Sequence, residues 1–95
     1  WRKSPTLYGN LASCQVRLGH FEEALATLDQ ATRFSTPTAG MRNSRGLALW
    51  NLGRTEEARA EFDRAIAETP SAVPARVNAI LLDARTGQVH EARAR

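Results

Sequence analysis

An eight-residue string, Gly-x-x-x-Glu-Ala-x-Ala, occurs three times in this chain, opening at Gly19, Gly53 and Gly87, so that the copies are evenly spaced. A fixed period in this range marks a solenoid, in which each unit cannot bury its apolar face alone and needs neighbours to stack on. That one observation sets the fold class as a stacked repeat. It also makes catalysis an unexpected occupation for this stretch.

Each period divides into two helical patterns. Ser4-Pro5 is a start signal, a capping hydroxyl followed by a proline at the first helical position. Leu7, Leu11, Cys14 and Leu18 then recur at the spacing of one helix face, which predicts that they are buried. Gly19 is expected to end that helix in a left-handed conformation. Glu22 and Glu23 fall in the first turn of the next, where carboxylates favour the positive end of the helix dipole. Ala24, Leu25, Leu28 and Ala31 carry its apolar stripe to about Phe34, and Ser35-Thr36-Pro37-Thr38 breaks it. The second unit repeats the plan. Met41, Ala48, Leu49 and Leu52 are closed by Gly53, then Ala58, Phe62, Ala65 and Ile66 run to Thr69-Pro70. The third passes through Val77, Ile80 and Leu81 and is predicted to turn at Gly87, leaving a sixth helix fragment up to Arg95.

The bulk numbers agree with a helical domain. Of the 95 residues, 42% are apolar and 24% charged, ordinary for a globular chain and too apolar for disorder. The longest apolar run, Ala79 to Leu82, is far too short to span a bilayer, so membrane insertion is not expected. A single cysteine, Cys14, forms no internal disulfide and needs no oxidising compartment, which makes the cytoplasm the expected location. At its apolar-stripe position Cys14 reads as a small buried hydrophobe rather than a nucleophile. The chain begins at Trp1 and stops inside a helical pattern, so it reads as a piece of something longer.

The residues at the repeated positions resemble the tetratricopeptide repeat, a helix–turn–helix unit of the same period. Tyr8, Leu11, Ala12, Gly19, Phe21, Ala24, Leu28 and Ala31 match its pattern in the first unit. Gly46, Leu49, Gly53, Ala58, Phe62, Ala65 and Pro70 do so in the second, and Ile80, Gly87, Val89 and Ala92 in the third. The resemblance implies an all-α, right-handed solenoid of antiparallel helix pairs. It divides the chain into a linker (1–4), repeats at 5–38 and 39–72, and an incomplete third at 73–95. Ala24, Ala58 and Ala92 sit where the second helix crosses the first, as do Ala12 and Gly46 on the first, so that small residues let the backbones approach. Arg42 and Arg76 replace Tyr8, and Arg45 replaces Leu11, at positions the family usually makes apolar. Two readings stay open: the methylenes pack while the guanidinium reaches the rim, or the guanidinium pairs with a carboxylate or bound anion.

The resemblance further implies a protein-interaction module, whose first helices line a concave groove for a partner peptide or helix. Carried over by position, the groove receives Asn10, Ser13, Val16 and Arg17 from the first unit. Asn43, Ser44, Leu47, Trp50 and Asn51 come from the second, and Asn78, Leu81 and Arg85 from the third. Asparagine offers both a donor and an acceptor to an extended backbone. Trp50 and Leu47 supply an apolar anchor, unless Trp50 packs on a neighbouring unit instead. The chaperone-cofactor members of the family grip a C-terminal carboxylate with cations. Here those positions hold Gly9, Ser13, Ser44, Pro74 and Asn78, so that clamp is not expected.

Charge separates by helix. The first helices hold five arginines against Asp83 alone, net +4, and the second helices five arginines against nine carboxylates, net −4. A basic inner wall steers an acidic partner segment. The total of +3 is a modest field, and the acidic second helices oppose phosphate, so nucleic acid is not expected as a partner. His20 and His90 stand apart from any ligand cluster, and neighbouring glutamates on a helix diverge, so neither metal nor catalytic acid pair is expected. No phosphate loop or nucleophile elbow is present, and no cofactor is implied. The alternative roles are self-association through an uncapped last repeat, giving a homo-oligomer, or an accessory region of an enzyme whose catalytic domain lies elsewhere.

Overall fold

The computed structural model describes the backbone of residues 5–71 and 73–94, and the side chains of residues 6–71 and 73–85. Five helices follow one another: α1 (Pro5–Arg17), α2 (Phe21–Thr32), α3 (Ala39–Asn51), α4 (Thr55–Glu68) and α5 (Val73–Ala94). The described residues contain no strand. The fold is an all-α helical-repeat solenoid in which α1, α3 and α5 begin at the same even interval that separates the repeated strings. Helix α1 pairs with α2 and α3 with α4, while α3 also touches α1, α2 and α5.

Local chemistry sets the boundaries. Proline at the first position of α1 has no N–H to leave unbonded. At α3 the Thr38 hydroxyl accepts the Met41 N–H at 3.1 Å, satisfying one of the free donors of the first turn. Helices α2 and α4 have no side-chain cap and instead carry Glu22-Glu23 and Glu56-Glu57 in their first turns. Gly19 and Gly53 hold φ of 82° and 83°. Around Gly19, the His20 N–H donates to the Gln15 carbonyl at 2.8 Å and the Gly19 N–H to Val16 at 3.1 Å. The second turn repeats the arrangement, from Arg54 to Leu49 at 2.8 Å and from Gly53 to Trp50 at 3.0 Å. Both are Schellman closures, which need a left-handed residue and so favour glycine.

Two clusters make the core. Ala12, Ala24, Leu28, Ala31, Met41 and Ala48 form one, and Leu49, Ala58, Phe62, Ala79 and Leu82 the other. Helix α3 contributes to both and ties the units together. A Cβ placed on Gly46 would lie 2.8 Å from both Cδ1 and Cζ of Phe62 and closer still to Cε1, so the glycine exists to seat that ring.

Three expectations are corrected. Leu7, Leu11 and Leu18 are 53%, 47% and 73% exposed, and Cys14 is exposed with them. The side of α1 that meets α2 and α3 is instead the one bearing Ala12, with Tyr8 and Val16 partly buried. Periodicity finds residues that share a face, but burial also needs a neighbour on that face. Leu52 is 36% exposed for a related reason, being the residue just before the Gly53 turn. Finally, α5 runs through Gly87 to Ala94 without a turn or a sixth helix. Extending an existing helix needs no new nucleus, whereas two turns of a returning helix would bury too little to offset one. Val89, His90, Glu91 and Ala92 belong to that stretch, and their side chains, like Ser4, lie outside the described residues.

Candidate functional site

Helical spacing aligns Thr6, Asn10, Ser13 and Arg17 along one face of α1, and Gly40, Ser44, Leu47 and Asn51 along the matching face of α3. Between these faces lies an open cleft of about 310 Å³, lined by Thr6, Gly9, Asn10, Ser13, Thr38, Gly40, Met41, Asn43 and Ser44. Helix α5 continues the wall, because the Asn78 side-chain amide donates to Asn43 Oδ1 at 2.8 Å. Asn10, Ser13 and Asn43 therefore share one cleft, and Asn78 is linked to it through Asn43. Thr6 is absent from the sequence-derived set, although it stands one helical turn before Asn10.

The remaining groove residues divide. Leu47 and Trp50 are half-buried against the second core cluster, with Trp50 meeting Phe62 edge to face at 6.4 Å. Phe62 belongs to Trp50's own unit, so this contact is not the packing on a neighbouring unit that the sequence left open. The Trp50 ring also lies under Arg85, whose guanidinium carbon sits 5.1 Å from the centroid, an attraction between cation and ring quadrupole. Asn51 turns its amide back on its own helix, donating to the Leu47 carbonyl at 2.8 Å. Leu81 is 49% exposed, and Arg17 lies at the C-terminal end of α1.

Two of the three arginines that replaced apolar residues, Arg42 and Arg45, follow the second of their two readings, while Arg76 meets no carboxylate among the described residues. Arg42, 13% exposed, makes a two-pronged contact with Glu68 at 2.9 and 3.1 Å and reaches Glu61 at 3.5 Å. Arg45 pairs with Asp29 of α2, and Arg59 of α4 pairs with both Asp63 and Asp83. Exposed Arg76 donates to the Pro70 carbonyl at 3.3 Å. A cleft of about 280 Å³ on the opposite side is bordered by Leu28, Thr32, Arg42, Arg45, Glu61 and Arg64. Its Arg42 and Arg45 are thus already occupied by carboxylates. Such pairs bind helix to helix and contribute modestly where solvent reaches them.

Elsewhere, His20 Nδ1 lies 3.3 Å from Glu23 in a surface contact. Among the described residues no three of His, Cys, Asp or Glu gather at metal-binding distance. Nor is any helix among them long and apolar enough to cross a membrane.

Comparison with known proteins places this geometry in context. Residues 10–73 match the family profile described as tetratricopeptide repeat. A similar curated protein is the mouse (Mus musculus) "FK506-binding protein-like", 37% identical over 65 residues. That stretch is 68% of this chain but 19% of the mouse protein, so the chain spans less than a fifth of its relative. No solved structure matches the chain significantly.

Proposed function

We propose that this chain, which belongs to the tetratricopeptide repeat family, binds an extended segment or helix of a partner protein along the concave side of α1, α3 and α5. Repeats of this family mediate protein–protein interaction, and the groove is the surface here best suited to it. The observation that carries the reading is the row of carboxamides, Asn10, Asn43 and Asn78, beside an open cleft. The single bond between Asn43 and Asn78 leaves most of their donors and acceptors for a ligand. A peptide main chain brings both kinds of group and is impaired if either goes unmatched. Leu47, Trp50 and Leu81 add apolar contact next to them. The role is docking, with any chemical turnover assigned to residues outside this chain.

The test is capture of partners from the native organism with the chain and with an Asn10→Ala, Leu81→Ala variant. Both positions are exposed, so the variant should fold as the parent does by circular dichroism. Loss of specific partners is expected. An unchanged set of partners would remove the groove from the account.

A second reading, self-association, draws on the end faces. Leu7, Leu11 and Leu18 on α1 and just beyond it, and Val73, Val77 and Ile80 on α5, are all at least 47% exposed. Apolar patches of this kind are uncommon on stable monomers. Sedimentation equilibrium showing a monomer at high concentration would dispose of this reading.

A further inference from the structure

We infer, resting on the groove reading above, that the groove selects an extended acidic segment carrying two carboxylates about five or six residues apart. The inference starts from which charges are left over. Helices α1 and α3 contain no carboxylate at all. Asp83 of α5 is held by Arg59 of α4. Arg42 and Arg45 are bound to Glu61, Glu68 and Asp29. Two groove-side cations, Arg17 and Arg85, have no carboxylate partner among the described residues. Among the described residues, nothing acidic on the groove side competes with a ligand for them.

Their positions form a measure of length. Arg17, Asn51 and Arg85 occupy the same place in three successive units of the repeat. The middle position is neutral and its amide is spent on the Leu47 carbonyl, so charge resides at the two ends of the row. Helix axes in contact lie about 8–10 Å apart. Two such steps, from α1 over α3 to α5, separate the guanidiniums by roughly 16–20 Å. An extended chain rises about 3.3 Å per residue, so that distance corresponds to roughly five or six residues. Between the charges the segment meets Leu47 and Leu81, which suits an apolar side chain at its centre. Arg85 is also held in place by the Trp50 ring, so less side-chain freedom is lost when it meets a carboxylate.

The probe is a set of twelve-residue peptide libraries, random except for two glutamates fixed three to nine positions apart. Binding is read by fluorescence anisotropy at low salt. The expected optimum is a separation of five or six. In the best peptide, changing either glutamate to glutamine should weaken binding about three- to fivefold, the upper part of the range of exposed ion pairs. Arg17→Gln or Arg85→Gln should do the same, without adding to the loss at the matching glutamate. Arg64→Gln, an equal charge change on α4, should leave affinity unaltered. Peptides that bind regardless of glutamate spacing, yet lose affinity in the Asn10→Ala, Leu81→Ala variant, would overturn the spacing rule and leave the groove in place. Binding indifferent to that variant, or none from any library, would overturn both.

Discussion

The two complete hairpins of this chain use the same repeat positions and bury them to different degrees. Met41 and Ala48 on α3 are buried, while Leu7 and Cys14, their counterparts one repeat earlier on α1, are exposed. The side chains on α1 are no less apolar, but α3 has the α1–α2 hairpin on one side and α5 on the other, whereas α1 meets only α2 and α3 among the described residues. In a stacked array, burial belongs to the position between neighbours more than to the residue. The hairpins also solve their internal packing differently. Unit one fills the helix crossing with Ala12 and Leu28, and unit two with Gly46 and Phe62 at the equivalent places. As the second helix gains a ring, the first gives up a methyl, which keeps the filled volume nearly level.

The largest test of this contrast is Phe62→Ala. The ring is fully buried, so its removal should destabilise the chain by about 3–5 kcal/mol, read from the urea midpoint. Next comes the pair Met41→Ala and Leu7→Ala. The first should cost about 2–4 kcal/mol and the second under about 1 kcal/mol, because only Met41 leaves a cavity. Equal losses would mean that α1 is covered in solution by something that behaves like a preceding unit.

Gly46→Ala should cost about 1–3 kcal/mol by pushing a methyl into the Phe62 ring. Adding Phe62→Leu converts unit two to the packing of unit one and should recover part of that loss, a coupling that a double-mutant cycle measures. The smallest effect is expected at the two turns. Gly19→Ala and Gly53→Ala should each cost about 1 kcal/mol and match one another in urea titrations, since both sites are left-handed with nothing within 4 Å of a new Cβ.

The features legible in the sequence were those that depend on a few adjoining residues. The turns at Gly19 and Gly53, the carboxylates opening α2 and α4, and the Thr38 break all follow from local backbone chemistry. What was not legible depends on company. The stripe from Leu7 to Leu18 has helical spacing whether or not a partner covers it. Gly87 permits a turn but does not force one, and α5 passes through it. The carboxylates that hold Arg42, Glu61 and Glu68, stand on the following helix, so nothing in its own surroundings identified them. The lining of the cleft was legible only as register: Asn10, Ser13 and Asn43 share one cleft, but the stacking of Arg85 on Trp50 needed coordinates.

The claim that most needs a direct measurement is that recognition belongs to the first helices of the units and not to the second. Backbone amide shifts in a nitrogen–proton correlation spectrum, recorded as a segment of a captured partner is added, would locate the contact residue by residue. The account predicts perturbations centred on Asn10, Ser13, Asn43, Ser44, Leu47, Asn78 and Leu81, with α2 and α4 little changed. Perturbations confined to α2 and α4, with those groove positions silent, would contradict it.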